Sequence, residues 1–233
     1  FPNGTQTGEM IYWDGGSWMG IPPAIYDSAV LMSLSGVPSW VGGYIPPAVI
    51  GDYAHGGVVF YILQQGDIGY VSGETHGLVC DIYGFPLNQI GWGCYGTSIS
   101  GADGTAIGTG QQNTIDIEAG CSAGGTPADL CANYTANSYS DWFLPSKDEI
   151  NQLQIQCLMV NSISVANGGS AMLTSSSFYW SSSEVNANDA WHHSFHWSMG
   201  GLGGMSWVYN GSYGDPYWKG SWNYHYARAI RYF

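Results

Sequence analysis

The chain has 233 residues, 45% of them hydrophobic and only 9% charged, enough apolar content for one substantial core with a small appendage. Four Lys and Arg stand against 17 Asp and Glu, a net charge of −13 that excludes a nucleic-acid backbone or an anionic membrane surface as partner. No apolar run reaches the roughly 18 to 20 residues of a membrane span, so membrane insertion is not expected.

The chain opens at Phe1 with neither Met nor an apolar leader, as expected of a processed product. Its 35 glycines and abundant Ser, Asn and Tyr are the composition of a loop-rich extracellular, cell-surface or virion protein. Residues 1–47 read as a small N-terminal β attachment or assembly module. In "EMIYWDGGSWMGI" two short aromatic strands flank Asp14, Gly15 and Gly16, a hairpin signal. "SWMGIPP" at 17–23 and "SWVGGYIPP" at 39–47 share Ser-Trp, Gly and Ile-Pro-Pro, which predicts two similar units ending in stiff Pro-Pro connectors. So short a segment has too little core to stand alone, and packing on other surfaces or neighbouring chains is expected of it.

Residues 48–233 read as the main domain. "GGVVFYIL" at 56–63 is a buried strand by its continuous apolar run, and "HGLVCDI" at 76–82 is its expected partner. Thr126 and Pro127 have the chemistry of an N-cap and a first helical residue, with Leu130, Cys131 and Tyr134 at helical spacing. In "LPSKDEINQLQIQCL" Ser146 caps a helix, Glu149 closes the capping box, and Ile150, Leu153 and Cys157 share a face. Three strand-length pieces follow: "FYWSSSE" (178–184), "AWHHSFHW" (190–197) and "YARAIRYF" at the end. Strands, then helices, then strands indicate an α+β domain with short helices and long irregular loops.

The five cysteines contain no CxxC pair, so a zinc ribbon or thioredoxin site has no support. Local pairings of Cys121 with Cys131 and of Cys80 with Cys94 are the disulfide candidates; the alternative is that all five are buried thiols.

Eight blocks carry a resemblance to a known family: "GGVVFYI", "GLVCDI", "GWGCYGT", "TAIGTGQQNT", "DWFLPSKDEINQL", "YWSSSE", "AWHHSF" and "RAIRYF". In this order they resemble the Lcl C-terminal-domain family, of the formylglycine-generating-enzyme-like branch of the C-type lectin-like fold, over roughly residues 55–233. The end of the chain is also similar to the variable proteins of diversity-generating retroelements, through Ala190, Trp191, Phe195, Lys219, Arg228, Ala229, Ile230 and Arg231. The resemblance implies a C-type lectin-like scaffold whose C-terminal loops recognise a ligand. The stretch from Phe195 to Lys219 is longer than usual in such proteins and rich in Trp, Met and Gly. The N-terminal hairpin resembles short "YWDGxxW" modules of bacterial surface proteins and phage tail fibres.

A strand over Trp191–Trp197 puts Trp191, His193 and Phe195 on one face, read as core, and His192, Ser194 and His196 on the other. That second face, with Trp197, Trp207, Tyr209, Asn210 and Tyr213, begins the candidate ligand surface; Asp215, Tyr217, Trp218, Trp222 and Tyr224 complete it. Large rigid rings interleaved with Ser, Gly and Asn are the composition of a paratope, and a cell-surface protein or a glycan is the expected partner. The alternative is that these rings only pack a loop-rich subdomain.

The Glu-Pro-Asn and Gln-Pro-Asp triplets of calcium-dependent lectins are absent. Asp103, Asp116 and Glu118 offer oxygen ligands at a spacing that fits no defined loop, so no cofactor is firmly expected and a structural calcium ion stays open. His192 and His196 lie about 13 Å apart along a strand, too far to share a metal ion. No cysteine follows Cys157, so the copper-holding pair of formylglycine-generating enzymes does not carry over. With no GxSxG elbow either, a non-enzyme is expected. In the tail, Arg228 and Arg231 point to opposite faces and are expected to anchor the scaffold through bidentate pairs with Asp141, Glu149 or Glu184. Asn3, Asn133 and Asn210 stand in N-x-S/T contexts.

The expected whole is a display protein, possessing a lectin-like binding domain and an N-terminal module through which copies, as a trimer or otherwise, assemble. The rival reading is a structural subunit of a surface appendage or filament, its aromatics buried between copies.

Overall fold

A computed structural model describes residues 10–21, 30–34, 37–41, 47–85, 90–172, 177–195, 208–210, 212–213, 215–216, 219 and 225–233. Contacts divide the chain into two compact units, Phe1–Pro47 and Ala48–Phe233.

The first unit contains two separate antiparallel hairpins. Strands β1 (Met10–Trp13) and β2 (Trp18–Ile21) are joined by a turn in which the Asp14 carboxylate accepts the Gly16 and Ser17 amides, both at 2.8 Å. Those donors hold the Asp14 carboxyl below its ordinary value, and Gly15 takes φ +101°, a region that favours glycine. Trp13 and Trp18 face each other across the ladder, edge to face, with centroids 5.5 Å apart. Strands β3 (Val30–Leu34) and β4 (Val37–Val41) form the second hairpin, with Trp40 opposite Leu31. The two related segments thus both place the Trp of their Ser-Trp pair in the second strand of a hairpin, with Ser17 still in the turn and Ser39 already in β4; residues 22–23 and 42–46 of the repeat lie outside the described residues.

The second unit is mixed α and β, with small antiparallel sheets and, among the described residues, four helices. Strands β5 (Tyr53–Ala54), β6 (Gly57–Ile62) and β7 (Gly77–Cys80) come first, then helices α1 (Gly110–Gly120), α2 (Pro127–Ala132), α3 (Lys147–Ile155) and α4 (Cys157–Ala166). The chain continues through β8 (Phe178–Glu184), β9 (Ala190–Ser194), β10 (Val208–Asn210), β11 (Ser212–Tyr213), β12 (Asp215–Pro216) and β13 (Ile230–Tyr232). One sheet runs β13-β7-β6-β5 and another β10-β9-β8, with β11 and β12 as a separate ribbon.

The continuous apolar run of β6 has a simple cause, because its sheet is covered on both faces. Val58, Phe60, Leu78 and Cys80 pack with Ile150, Leu153 and Val160 of α3 and α4. Their neighbours Val59 and Val79 point the other way, into a cluster with Trp92, Ile117, Cys131, Trp142 and Trp180. Helix α2 starts on Thr126, whose hydroxyl accepts the Asp129 amide, with Pro127 in the first turn. Helix α3 has the full capping box of Ser146 and Glu149.

Helix α1 was not legible as a helix. Its inward positions are Gly110, Asn113, Thr114 and Ile117, so the buried face is small and polar instead of an apolar stripe. Asn113 bonds the Gly104 carbonyl and the Ser182 hydroxyl, and Thr114 bonds Gly110 and Leu144. A Cβ at Gly110 would come within 2.7 Å of the Ser146 amide nitrogen and 3.0 Å of the Leu144 carbonyl, so only glycine lets α1 approach the α3 cap this closely.

The disulfide is a correction to both expected pairings: Cys94 bonds Cys121, with Cα atoms 5.6 Å apart, tying the C-terminal end of α1 to the loop after Ile90. Cys80 and Cys131 are free and fully buried, on opposite faces of the central sheet, and cannot reach those partners. Burial pushes the Cys80 thiol up to about 11 and raises that of Cys131 well above its ordinary value, so both remain protonated core residues.

Candidate functional site

The candidate ligand segment leaves β9 and returns at the C-terminal tail, and a buried ion pair, Lys219 with Glu184, stands at its returning foot. On the outgoing side, His193 and Phe195 are buried, as expected of core-facing positions. The His193 ring meets Asn151 Oδ1 of α3 at 3.2 Å, and burial lowers its pKa to about 4.

His192 is a correction. It was expected to face outward, yet its ring lies against Phe178, Trp180 and His225, with Nδ1 2.7 Å from His225 Nε2. Burial, then the neighbouring His225 and His193, lowers its pKa to about 3. The cause is topological: the returning chain pairs along the free edge of β8 at Tyr226 and so brings the His225 ring against His192, which is left half-buried. Ser194 is half-buried opposite Phe178, and Trp191, expected in the core, is also half-buried, with Lys147 Nζ 5.0 Å from its ring centre.

On the returning side stands Lys219, 1% exposed. Its ammonium pairs with Glu184 Oε1, donates to the Thr97 carbonyl at 3.0 Å and lies 4.6 Å from the centre of the Trp92 ring. The Glu184 carboxylate also accepts the Ile99 amide at 3.0 Å and the Ser98 hydroxyl at 3.1 Å. Burial lowers the Lys219 pKa, and the Glu184 carboxylate acts against that shift. Backbone bonds from Lys219 N to Asn188 O and from Gly93 N to Lys219 O, each 2.9 Å, seat the residue further. Six residues on, His225 exchanges amide bonds with Ile90, and Trp180 Nε1 donates to the same Ile90 carbonyl at 2.6 Å.

The tail strand locks the frame. Arg231 forms the expected bidentate pair with Asp141, Nε to Oδ1 at 2.6 Å and Nη2 to Oδ2 at 2.8 Å, and its guanidinium lies over Tyr139. Tyr232 donates to Glu149 Oε1 at 2.7 Å. Arg228 corrects the second expected pair: its Nε meets Cys80 Sγ at 3.4 Å, with Asp81 close by, and no carboxylate pairs with it among the described residues. Neither expected carboxylate is free to do so. Glu149 is taken by the Gly108 and Ser146 amides and Tyr232, and Glu184 by Lys219, Ser98 and Ile99. Sequence reasoning missed Lys219 with Glu184 as the central anchor, although Glu184 closed the block "YWSSSE" and Lys219 was among the residues that carry the resemblance of the tail.

Of the candidate surface, the backbones of Tyr209 and Asn210 belong to β10, where they oppose His192 and Trp191, and Tyr213 and Asp215 pair in the β11–β12 ribbon. His196, Trp197, Trp207, Tyr217, Trp218, Trp222 and Tyr224 lie outside the described residues. Asp103, Asp116 and Glu118 do not converge: Asp116 is bonded by Gln112 at 3.0 Å, and among the described residues no three His, Cys, Asp or Glu side chains gather as a metal site. No helix among the described residues is long and apolar enough to cross a membrane.

No protein-family model and no curated protein matches the chain. Among solved structures it is similar to one described as a fimbrial protein from Bacteroides ovatus ATCC 8483, at 14% identity and a TM-score of 0.48. The likeness covers 83% of this chain and 46% of that one, so this chain spans less than half the length of its structural neighbour.

Proposed function

We propose that the chain is a ligand-binding display protein of the cell surface or virion, a C-type lectin-like domain whose aromatic C-terminal segment grips a surface protein or a glycan. It carries out no catalysis on this reading. One observation supports it above the others: both feet of the aromatic segment are clamped into the buried frame, at His193 and Phe195 on one side and at Lys219 and His225 on the other. A rigid base of this kind lowers the ordering cost of recognition by the segment it carries.

The test is binding to arrays of glycans and surface proteins by the wild type and by a Trp218→Ala, Trp222→Ala double variant. Loss of hot-spot rings is expected to weaken binding by at least about 2 kcal/mol. A specific ligand that both proteins hold equally, with folding intact, removes these rings from the site.

A second reading, a structural subunit, draws on the first unit, where Trp13 (52%), Trp18 (42%) and Met19 (42%) are exposed on one hairpin. Filaments at low concentration that disappear on Trp13→Ser would favour it.

A further inference from the structure

Outside the aromatic segment, the second unit carries an apolar stripe that its own core does not use. In α4, Cys157, Val160 and Ser164 face inward, while Ile155, at the end of α3, and Leu158, Ser162 and Val165 are exposed. The three aliphatic side chains are 60%, 51% and 58% exposed. On α4, Leu158, Ser162 and Val165 follow one another at four and three residues, the spacing of a helix–helix seam, and Ile155 extends the stripe from the end of α3.

The charge pattern points to what covers this seam. From Ile150 to Ser183 there is no Asp, Glu, Lys or Arg, in a chain whose net charge is −13. Two copies of such a chain repel each other through most of their surfaces, and an uncharged helix is a face they can bring together without opposing carboxylates. The stripe is also self-complementary, with a small residue, Ser162, between larger ones. Antiparallel pairing about a two-fold axis sets Ser162 near its equivalent and Leu158 against the partner's Val165. A basic or acidic protein would find no charge to complement here, and an anionic lipid surface would be repelled.

We propose that α4 is a homodimer interface, through which two copies associate by an antiparallel helix pair centred on Ser162. This goes beyond the ligand-binding reading, and it uses a surface distinct from both the aromatic segment and the N-terminal hairpins. Three aliphatic residues and their rim fall short of the roughly 800 Å² per partner of a standard interface, so the dimer is weak. Self-association is expected at concentrations of about 10 to 100 µM, and more strongly as salt screens the negative charge.

Sedimentation velocity of the full chain up to about 300 µM, several times that range, reads this directly. The wild type should shift from one-chain to two-chain mass, and Leu158→Glu should stay at one-chain mass with an unchanged far-UV spectrum. In a second variant, Ser162→Cys, oxidation should trap a covalent dimer in high yield, whereas a cysteine at exposed Gly124 should not. A wild type that remains a monomer throughout overturns the proposal. So does a dimer that Leu158→Glu leaves intact, or adsorption of a monomer to neutral phosphatidylcholine vesicles through the same residues. Ligand binding by the Leu158→Glu monomer is unaffected in either case, so failure here and failure of the display reading are separate results.

Discussion

Arg231 and Asp141 meet with two parallel hydrogen bonds, at 2.6 and 2.8 Å, and so join the last strand of the chain to the segment just before α3. The fork geometry is one that lysine cannot reproduce. Arg231→Lys is therefore expected to lower stability, but only by about 1 to 2 kcal/mol, because the Asp141 side chain is half exposed and solvent screens the pair. Urea unfolding checks this; a midpoint equal to wild type would mean the pair is incidental. Arg231 holds the Asp141 carboxyl below its ordinary value, so the contribution is present above the unfolded-state value and fades as pH falls through the folded one.

Lys219 should be far less tolerant. Replacing it with Met leaves the Glu184 carboxylate, 5% exposed, without its counter-ion. Breaking one side of a buried pair costs about 3 to 5 kcal/mol. Because Lys219 seats the returning foot of the aromatic segment, ligand binding should fall along with the melting temperature. A variant of wild-type stability would show that Glu184 is satisfied by Ser98 and Ile99 alone.

Acid sensitivity has a named source. His193 has a folded pKa of about 4, below the ordinary histidine value of about 6.5, so between these limits the unfolded chain binds more protons than the folded one. Its stabilisation is thus complete above about pH 6.5 and declines as pH falls toward 4, with about 2 kcal/mol lost by pH 5. Denaturant midpoints across pH 4 to 7 should follow a shallower slope in His193→Gln than in wild type. Equal slopes would transfer the effect to His192, whose shift has the same sign.

The Cys94–Cys121 bond closes a loop with a sequence separation of 27, for which chain entropy gives about 3.5 kcal/mol. The Cys94→Ser, Cys121→Ser pair should lose stability on that scale. Alkylation before reduction should modify three cysteines, and only after unfolding, since Cys80, Cys131 and Cys157 are buried. Labelling of Cys94 in the native chain would contradict the pairing.

The strand at 178–184, the caps at Thr126 and Ser146 and the hairpin turn at Asp14 were all visible in the sequence, because each depends on residues within a few positions of one another. A carboxylate partner for Arg231 was legible because few cations compete for the carboxylates of this chain, but the choice of Asp141 over Glu149 or Glu184 was made by the fold. Other features needed three dimensions. Helix α1 hides because what it buries is Asn113 and Thr114, whose hydrogen-bond partners come from distant loops and leave no apolar period.

Strand alternation identifies which side chains share a face, and on that basis His193 and Phe195 were rightly placed inward. It carries no information on whether the opposite face meets solvent. That was decided when the chain returned at His225 and covered His192, and likewise when the central sheet set Cys80 and Cys131 on opposite sides, leaving Cys121 to meet Cys94. Local propensity and periodicity are properties of neighbours in sequence; burial and pairing belong to whichever segments the completed fold brings into contact.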